Sequence, residues 1–165
     1  MIIFVKNKDT LLIDDFKFNC SIGKKGVRKK KIEGDLSTPK GTFNLGNIYY
    51  RSDRMQKPLS KLKSISIKKN MGWCDDPNSE FYNKLIKIKK NLKISYEKLY
   101  RQDHKYDFFI LIKYNYKSPI KFKGSAIFLH HTKNYFPTKG CVTLCKKDFL
   151  ILAKLINKKT KIKIN

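Results

Sequence analysis

The segment Ile127-Phe128-Leu129-His130-His131 is followed a short way on by Pro137-Thr138-Lys139-Gly140-Cys141-Val142-Thr143-Leu144. An apolar run delivers a histidine, and a cysteine preceded by glycine opens a second apolar run. Cysteine attacks as thiolate, and a nearby imidazole is the usual means of making thiolate at neutral pH. A glycine before the nucleophile lets the backbone turn sharply and leaves N–H groups free to hold an oxyanion. These residue types point to Cys–His acyl transfer. Two other readings use the same residues. Cys141, beside valine and leucine, could be a buried small hydrophobe. His130, His131, Cys141 and Cys145 could hold zinc, but the spacing is poor. Adjacent histidines on a strand point to opposite faces, and C-x3-C lacks a second matching pair. Nothing in the sequence calls for a metal or a cofactor.

The elements that must position these residues are mostly strands. Residues 2–5 and 10–13 predict a hairpin across the polar turn 6–9, and residues 16–22 alternate as a third strand. Residues 23–35 are rich in glycine and lysine and predict a mobile loop. Strand character resumes over 42–47, after the turn made by Pro39 and Gly41. Residues 51–107 predict an insertion of short strands and loops, with strands at 65–67 and 85–88. Residues 108–114 and 126–130 are dense in β-branched and aromatic side chains and predict buried strands. Residues 146–157 predict the one main helix: Leu150, Leu152, Ala153, Leu155 and Ile156 form its apolar surface. Asp148 sits in its first turn, where a carboxylate favours the dipole. Residues 162–164 predict a closing strand. The expected architecture is one β-rich domain over residues 1–165 with a single main C-terminal helix.

Composition bounds the function. At 165 residues the chain can bury about two-thirds of its unfolded surface. No apolar run is long enough to span a membrane. Met1-Ile2-Ile3-Phe4-Val5 is followed at once by Lys6, without the basic and long apolar regions of a secretory leader. The chain as it stands is therefore expected in the cytoplasm, or in the periplasm if a leader was removed. In that setting the four cysteines are expected as reduced thiols. A net charge of +25 invites a nucleic-acid reading, but only four of the 38 basic residues are arginine (Arg28, Arg51, Arg54, Arg101). Phosphate and base recognition favours arginine's planar fork. Runs such as Lys29-Lys30-Lys31 are expected as solvated faces, and no specific nucleic-acid partner is expected.

The segment Glu33-Gly34-Asp35-Leu36-Ser37-Thr38-Pro39-Lys40-Gly41-Thr42-Phe43 resembles the TPxGxF signature of the YkuD, or L,D-transpeptidase, catalytic domain. In that family the signature precedes a His…Gly-Cys active-site segment, as it does here. Gly72-Trp73-Cys74-Asp75-Asp76-Pro77, residues 99–107 and residues 124–130 are similar to stretches of a compact, single-domain subgroup. The four stand in the family's order and end at the cysteine. Two departures are clear. Most members carry Ser/Thr-His-Gly-Cys, then a hydrophobic residue and Arg or Asn. Here Lys139 stands at that second histidine and Thr143 at the Arg/Asn position, and the His–Cys spacing is shorter than usual.

The resemblance implies a YkuD-like β-sandwich of mixed sheets and a cysteine acyltransferase. Its substrate would be the peptidoglycan stem peptide, or a muropeptide. The bond between residue 3, such as diaminopimelate, and D-alanine would be opened through a Cys141 thioester. Carbapenem-type β-lactams would acylate the same sulfur. His130 is the expected base, with His131 on the opposite strand face, and the N–H groups of Cys141 and Gly140 form the oxyanion hole. Thr138, Lys139, Asp35, Trp73, Asp75, Tyr82, His104 and His131 are candidates for the substrate cleft. Trp73 is equally well explained as a core residue with a satisfied N–H, His104 as a salt-linked loop residue, and Lys139 as one more exposed lysine. An amine acceptor would give transpeptidation, and water would give an L,D-carboxypeptidase acting on recycled muropeptides. A reading from another class is a non-enzymatic, lysine-rich module that binds anionic polymer. It would require a contiguous basic face and an inaccessible thiol.

Overall fold

The computed structural model describes residues 1–29 and 31–165. The first three strands, β1 (Ile2–Lys6), β2 (Thr10–Ile13) and β3 (Phe16–Asn19), form an antiparallel meander. Their alternation sends Ile3, Val5, Leu11, Ile13 and Phe18 inward. Two short strands, β4 (Val27–Arg28) and β5 (Thr38–Pro39), pair in parallel. The long strand β6 (Gly41–Tyr50) carries β7 (Ser64–Ser66) alongside its end. A separate three-stranded sheet is built from β8 (Met71–Cys74), β9 (Leu85–Lys87) and β10 (Tyr96–Lys98).

The chain then returns to the main sheet. Strand β11 (Phe108–Ile112) pairs with β6, and β12 (Phe128–Thr132) pairs with β11. Strand β13 (Val142–Cys145) adds in parallel to β12. Helix α1 (Lys146–Leu155) packs on β12 and β13, and β14 (Lys161–Ile164) inserts between β1 and β6. The order is therefore β13-β12-β11-β6-β14-β1-β2-β3. The sheet curls on itself: Ser21, just past β3, bridges Thr143 of β13 through N–H···O bonds of 3.2 and 2.9 Å. A nearly closed barrel results, β-rich and mixed, with one C-terminal helix, as expected.

The main sheet has an apolar cluster on each face. Inside lie Ile3, Val5, Ile110, Leu129, Val142 and Leu144, with Phe149, Leu152 and Ala153 of α1. Outside lie Tyr49, Tyr106, Phe109 and Phe128, with Trp73 brought in by β8. Full burial of such side chains contributes about 1.5–3 kcal/mol each.

The segment 23–35, expected as a mobile loop, is instead tied into the fold. It contains β4, and its end is held by Asp35, which accepts the N–H groups of Ile32 and Ser37 at 3.0 and 2.9 Å. The expectation of a solvated Lys29–Lys31 run also needs correction. Lys29 is exposed and Lys30 lies outside the described residues, but Lys31 is buried.

Candidate active site

Strands β12 and β13 run in parallel with Leu129 opposite Val142 and His130 opposite Thr143. Paired residues in a ladder share a face, and faces alternate along each strand. Leu129 and His131 therefore join Val142 and Leu144 on the barrel's inner face. Phe128 and His130 join Cys141 on the outer face. The ring contacts agree: His130 stands edge-on to Tyr106 of the outer cluster at 5.6 Å, and Cys141 packs against that cluster. His131 faces Phe108 at 6.2 Å and His104 at 5.3 Å, with Nε2 3.6 Å from Asp107. Two histidines on opposite faces cannot ligate one ion, which removes the zinc arrangement. Among the described residues no group of three or more His, Cys, Asp or Glu is placed to hold a metal.

The turn that carries Cys141 is held from two sides. Gly140 has φ +145°, and a Cβ there would come within 2.8 Å of the Ser37 carbonyl oxygen, so glycine is required twice over. The Thr38 hydroxyl donates to the Gly140 carbonyl at 2.9 Å and accepts the Gly23 N–H at 2.8 Å. The Thr138 hydroxyl donates to the Cys141 carbonyl at 2.6 Å and accepts the Gly140 N–H at 3.0 Å. The TPxGxF segment is thus the clamp on the turn that carries Cys141. The Gly140 N–H, expected from sequence as a free oxyanion donor, is thus engaged by the Thr138 hydroxyl.

In the resting site the sulfur and the imidazole are not hydrogen-bonded to each other. The Cys141 thiol donates to the Ala126 carbonyl and accepts the Phe128 N–H, both at 3.4 Å. His130 Nδ1 lies 2.9 Å from the His131 carbonyl oxygen. A carbonyl only accepts, so Nδ1 carries the proton and Nε2 keeps its lone pair. Burial pushes His130 down to about 4, with its hydrogen bond to His131 opposing. Burial pushes the Cys141 thiol up to about 12, with the Phe128 N–H opposing. At neutral pH the thiol and the imidazole on this face are both uncharged. The chemistry available is proton transfer during attack rather than a standing thiolate–imidazolium pair. The carbonyl that orients His130 has no residue-type signal, and sequence reasoning missed it.

The other sequence candidates are scattered. Trp73 is 0 % exposed, and its indole N–H donates to Asn83 Oδ1 at 2.9 Å, which makes it a core residue rather than a cleft wall. Asn83 Oδ1 also accepts the Ala126 N–H at 3.1 Å, so Trp73 supports the segment whose carbonyl holds the thiol. Tyr82 is buried, with its hydroxyl donating to Glu33 at 2.5 Å. Asp35 is engaged with Lys31 and Ser37, and Asp75 accepts the Ser95 hydroxyl at 2.6 Å. His104 and His131 lie on the far side of the sheet from Cys141, while Lys139 is exposed beside the nucleophile. Two surface hollows, of about 410 and 600 Å³, are lined by Tyr50 with residues 52–57 and by Lys69 and Lys98 with residues 100–103; neither includes Cys141 or His130.

Residues 1–164 match the YkuD family, described as the L,D-transpeptidase catalytic domain. The chain belongs to the YkuD family. No curated protein matches it. Among the solved structures that share its fold are two crystal structures. One is the helical cell shape determining protein Pgp2 from Campylobacter jejuni, at 17 % identity and TM-score 0.53. The other is the K307A mutant of that protein, at 18 % and 0.52. In each case 99 % of this chain aligns with 46 % of the other, so the YkuD domain spans under half the length of those proteins. Within this YkuD domain the two departures from the family pattern have clear local settings. Lys139 projects to solvent, and the Thr143 hydroxyl is bound to Ser21 at 2.5 Å.

Proposed function

We propose that this YkuD domain opens the peptidoglycan stem peptide at the L,D bond between residue 3, such as diaminopimelate, and D-alanine. The observation that carries the reading is the shared outer face of His130 and Cys141, with Nδ1 tied to the His131 carbonyl. As sulfur attacks the scissile carbonyl, its proton leaves the Ala126 carbonyl and passes to His130 Nε2. The tetrahedral oxyanion faces the Cys141 N–H. The imidazolium then protonates the leaving amine, D-alanine departs, and a thioester remains on Cys141. Apo catalytic hydrogen bonds often tighten only in the substrate complex, which fits the resting contact to Ala126.

Water is the acceptor this reading favours. Thr143, at the family's Arg/Asn position, is turned to Ser21, and Lys139 replaces the second histidine, so neither matches the family's acceptor side. Arg51 pairs with Asp53, Arg54 with Asp107 and Arg101 with Asp103. Three of the four arginines thus serve internal contacts, which weakens the anionic-polymer reading. The test is mass spectrometry of a tetrapeptide muropeptide after incubation, with and without millimolar D-methionine. Tripeptide plus free D-alanine is expected to dominate. Mostly exchanged tetrapeptide or 3→3 crosslinked dimer would make the domain a transpeptidase, and an intact tetrapeptide would overturn the catalytic reading.

A further inference from the structure

Every described lysine but one is exposed; the exception is Lys31, 3 % exposed. Burying an ammonium costs several kcal/mol unless partners compensate, and this chain has ample surface for its lysines. Where Lys31 is buried is therefore informative. A Cβ at Gly124 would lie 2.9 Å from both Cδ and Cε of Lys31, and one at Gly140 would lie 3.7 Å from Cε. The side chain thus runs beneath two turns: the one that carries Cys141 and the one leading to Ala126, whose carbonyl receives the thiol proton.

Among the described residues Lys31 has one anionic contact, Nζ to Asp35 Oδ1 at 2.8 Å. That carboxylate is shared: Oδ1 also accepts the Ser37 N–H and hydroxyl at 2.9 and 2.7 Å, and Oδ2 accepts the Ile32 N–H. Burial opposes ionisation of Asp35, yet these donors outweigh it and hold the carboxyl well below its usual range. The ammonium has three protons, and among the described residues its one side-chain or backbone acceptor is Asp35. Asp35 fixes Lys31 in place while dividing its own charge among several donors.

We propose that Lys31 is an electrostatic positioning residue for Cys141: a fixed ammonium under the nucleophile turn that lowers the cost of placing negative charge on the sulfur. Asp35 sets how much of that charge is felt. The inference rests on Cys141 as nucleophile. The other charged groups felt at the sulfur are Glu97, which opposes thiolate, and Lys105, which favours it; Tyr106 is buried next to it, and His130, also buried, lies on the same sheet face. Lys105 is exposed and therefore screened by water, whereas Lys31 is not.

The test is the pH dependence of Cys141 alkylation by iodoacetamide, resolved by peptide mass mapping and compared among proteins shown to be folded by circular dichroism. Lys31→Met should raise the titration midpoint by about one unit, which is a tenfold slower alkylation at a fixed pH below it. Lys31→Arg should restore the rate to within about threefold. Asp35→Asn should shift the midpoint the other way, and Lys105→Met should change it little. An unchanged Cys141 profile in folded Lys31→Met, or a Lys105→Met shift as large, overturns the proposal. If Lys31→Met does not fold, Asp35→Asn decides alone: an unchanged or raised midpoint overturns it. Because alkylation needs no substrate, a failure of the peptidoglycan reading would leave these shifts in place and be told apart.

Discussion

The Thr38 hydroxyl donates to the Gly140 carbonyl at 2.9 Å across 102 residues of chain, and the same oxygen accepts the Gly23 N–H at 2.8 Å. One buried side chain therefore joins three segments beside Cys141. Thr38→Ala leaves a carbonyl and an amide unpaired, each costing about 1–3 kcal/mol. We expect urea unfolding to show a loss of that size and turnover to fall further than stability explains. Thr38→Ser should recover most of both. Full activity in Thr38→Ala would mean that the turn does not need the clamp.

The two adjacent histidines should separate cleanly in kinetics. His130→Ala should lower kcat by about 10²–10⁴, the usual worth of a positioned base. His131→Leu should stay within a few-fold per folded molecule, because only its carbonyl reaches His130. Equal losses would show that the face assignment does not govern activity.

Stability should depend on pH through His130. Its folded value is about 4 against an ordinary value of 6.5, because burial favours the neutral ring. Between these values the unfolded chain binds a proton that the folded protein refuses. Stability therefore rises with pH across this window and is lost as pH falls from 6.5 towards 4, by roughly 3 kcal/mol over its full width. His131 is shifted in the same direction by burial, with Asp107 opposing. His130→Gln should flatten the slope measured by urea unfolding between pH 4 and 6.5. An unaltered slope would place the proton uptake elsewhere.

A carbapenem-type β-lactam should add its mass at Cys141 and at no other cysteine. Cys20 and Cys74 are buried, and burial, aided by Asp9, pushes the Cys20 thiol up to about 12. Peptide mapping that finds the adduct on Cys145, which is also partly exposed, would move the nucleophile.

Much of the frame was legible because strands announce themselves by alternation. Residues 2–5, 10–13 and 108–114 fall on β1, β2 and β11, and the opposite parity of His130 and His131 follows from strand geometry alone. Strands β8 and β10 escaped notice. Met71-Gly72-Trp73-Cys74 and Tyr96-Glu97-Lys98 are three or four residues long and carry a glycine or charges that read as loop. The site was legible only in part. Residue type and spacing suggest Cys141 and a neighbouring histidine, and the family resemblance singles out His130, but burial is not encoded by type. Trp73 and Tyr82 look like cleft residues and are packed away, while Lys31 looks like one more solvated lysine and is enclosed. The His131 carbonyl could not be read at all, since every residue has one.

The bridge between Ser21 and Thr143 that nearly closes the barrel also bears on when the site comes into being. Cys141 is clamped by Thr38, and the Thr138 that braces its turn hangs by its N–H from the Ile22 carbonyl. All these contacts join segments made far apart in time during synthesis. Long-range and parallel pairings of this kind are slow to form, so the reactive turn is among the last features to be completed. Until then Cys141 is an ordinary thiol on an unfinished chain, and its turn takes shape only when residues 21–38 have met residues 138–143.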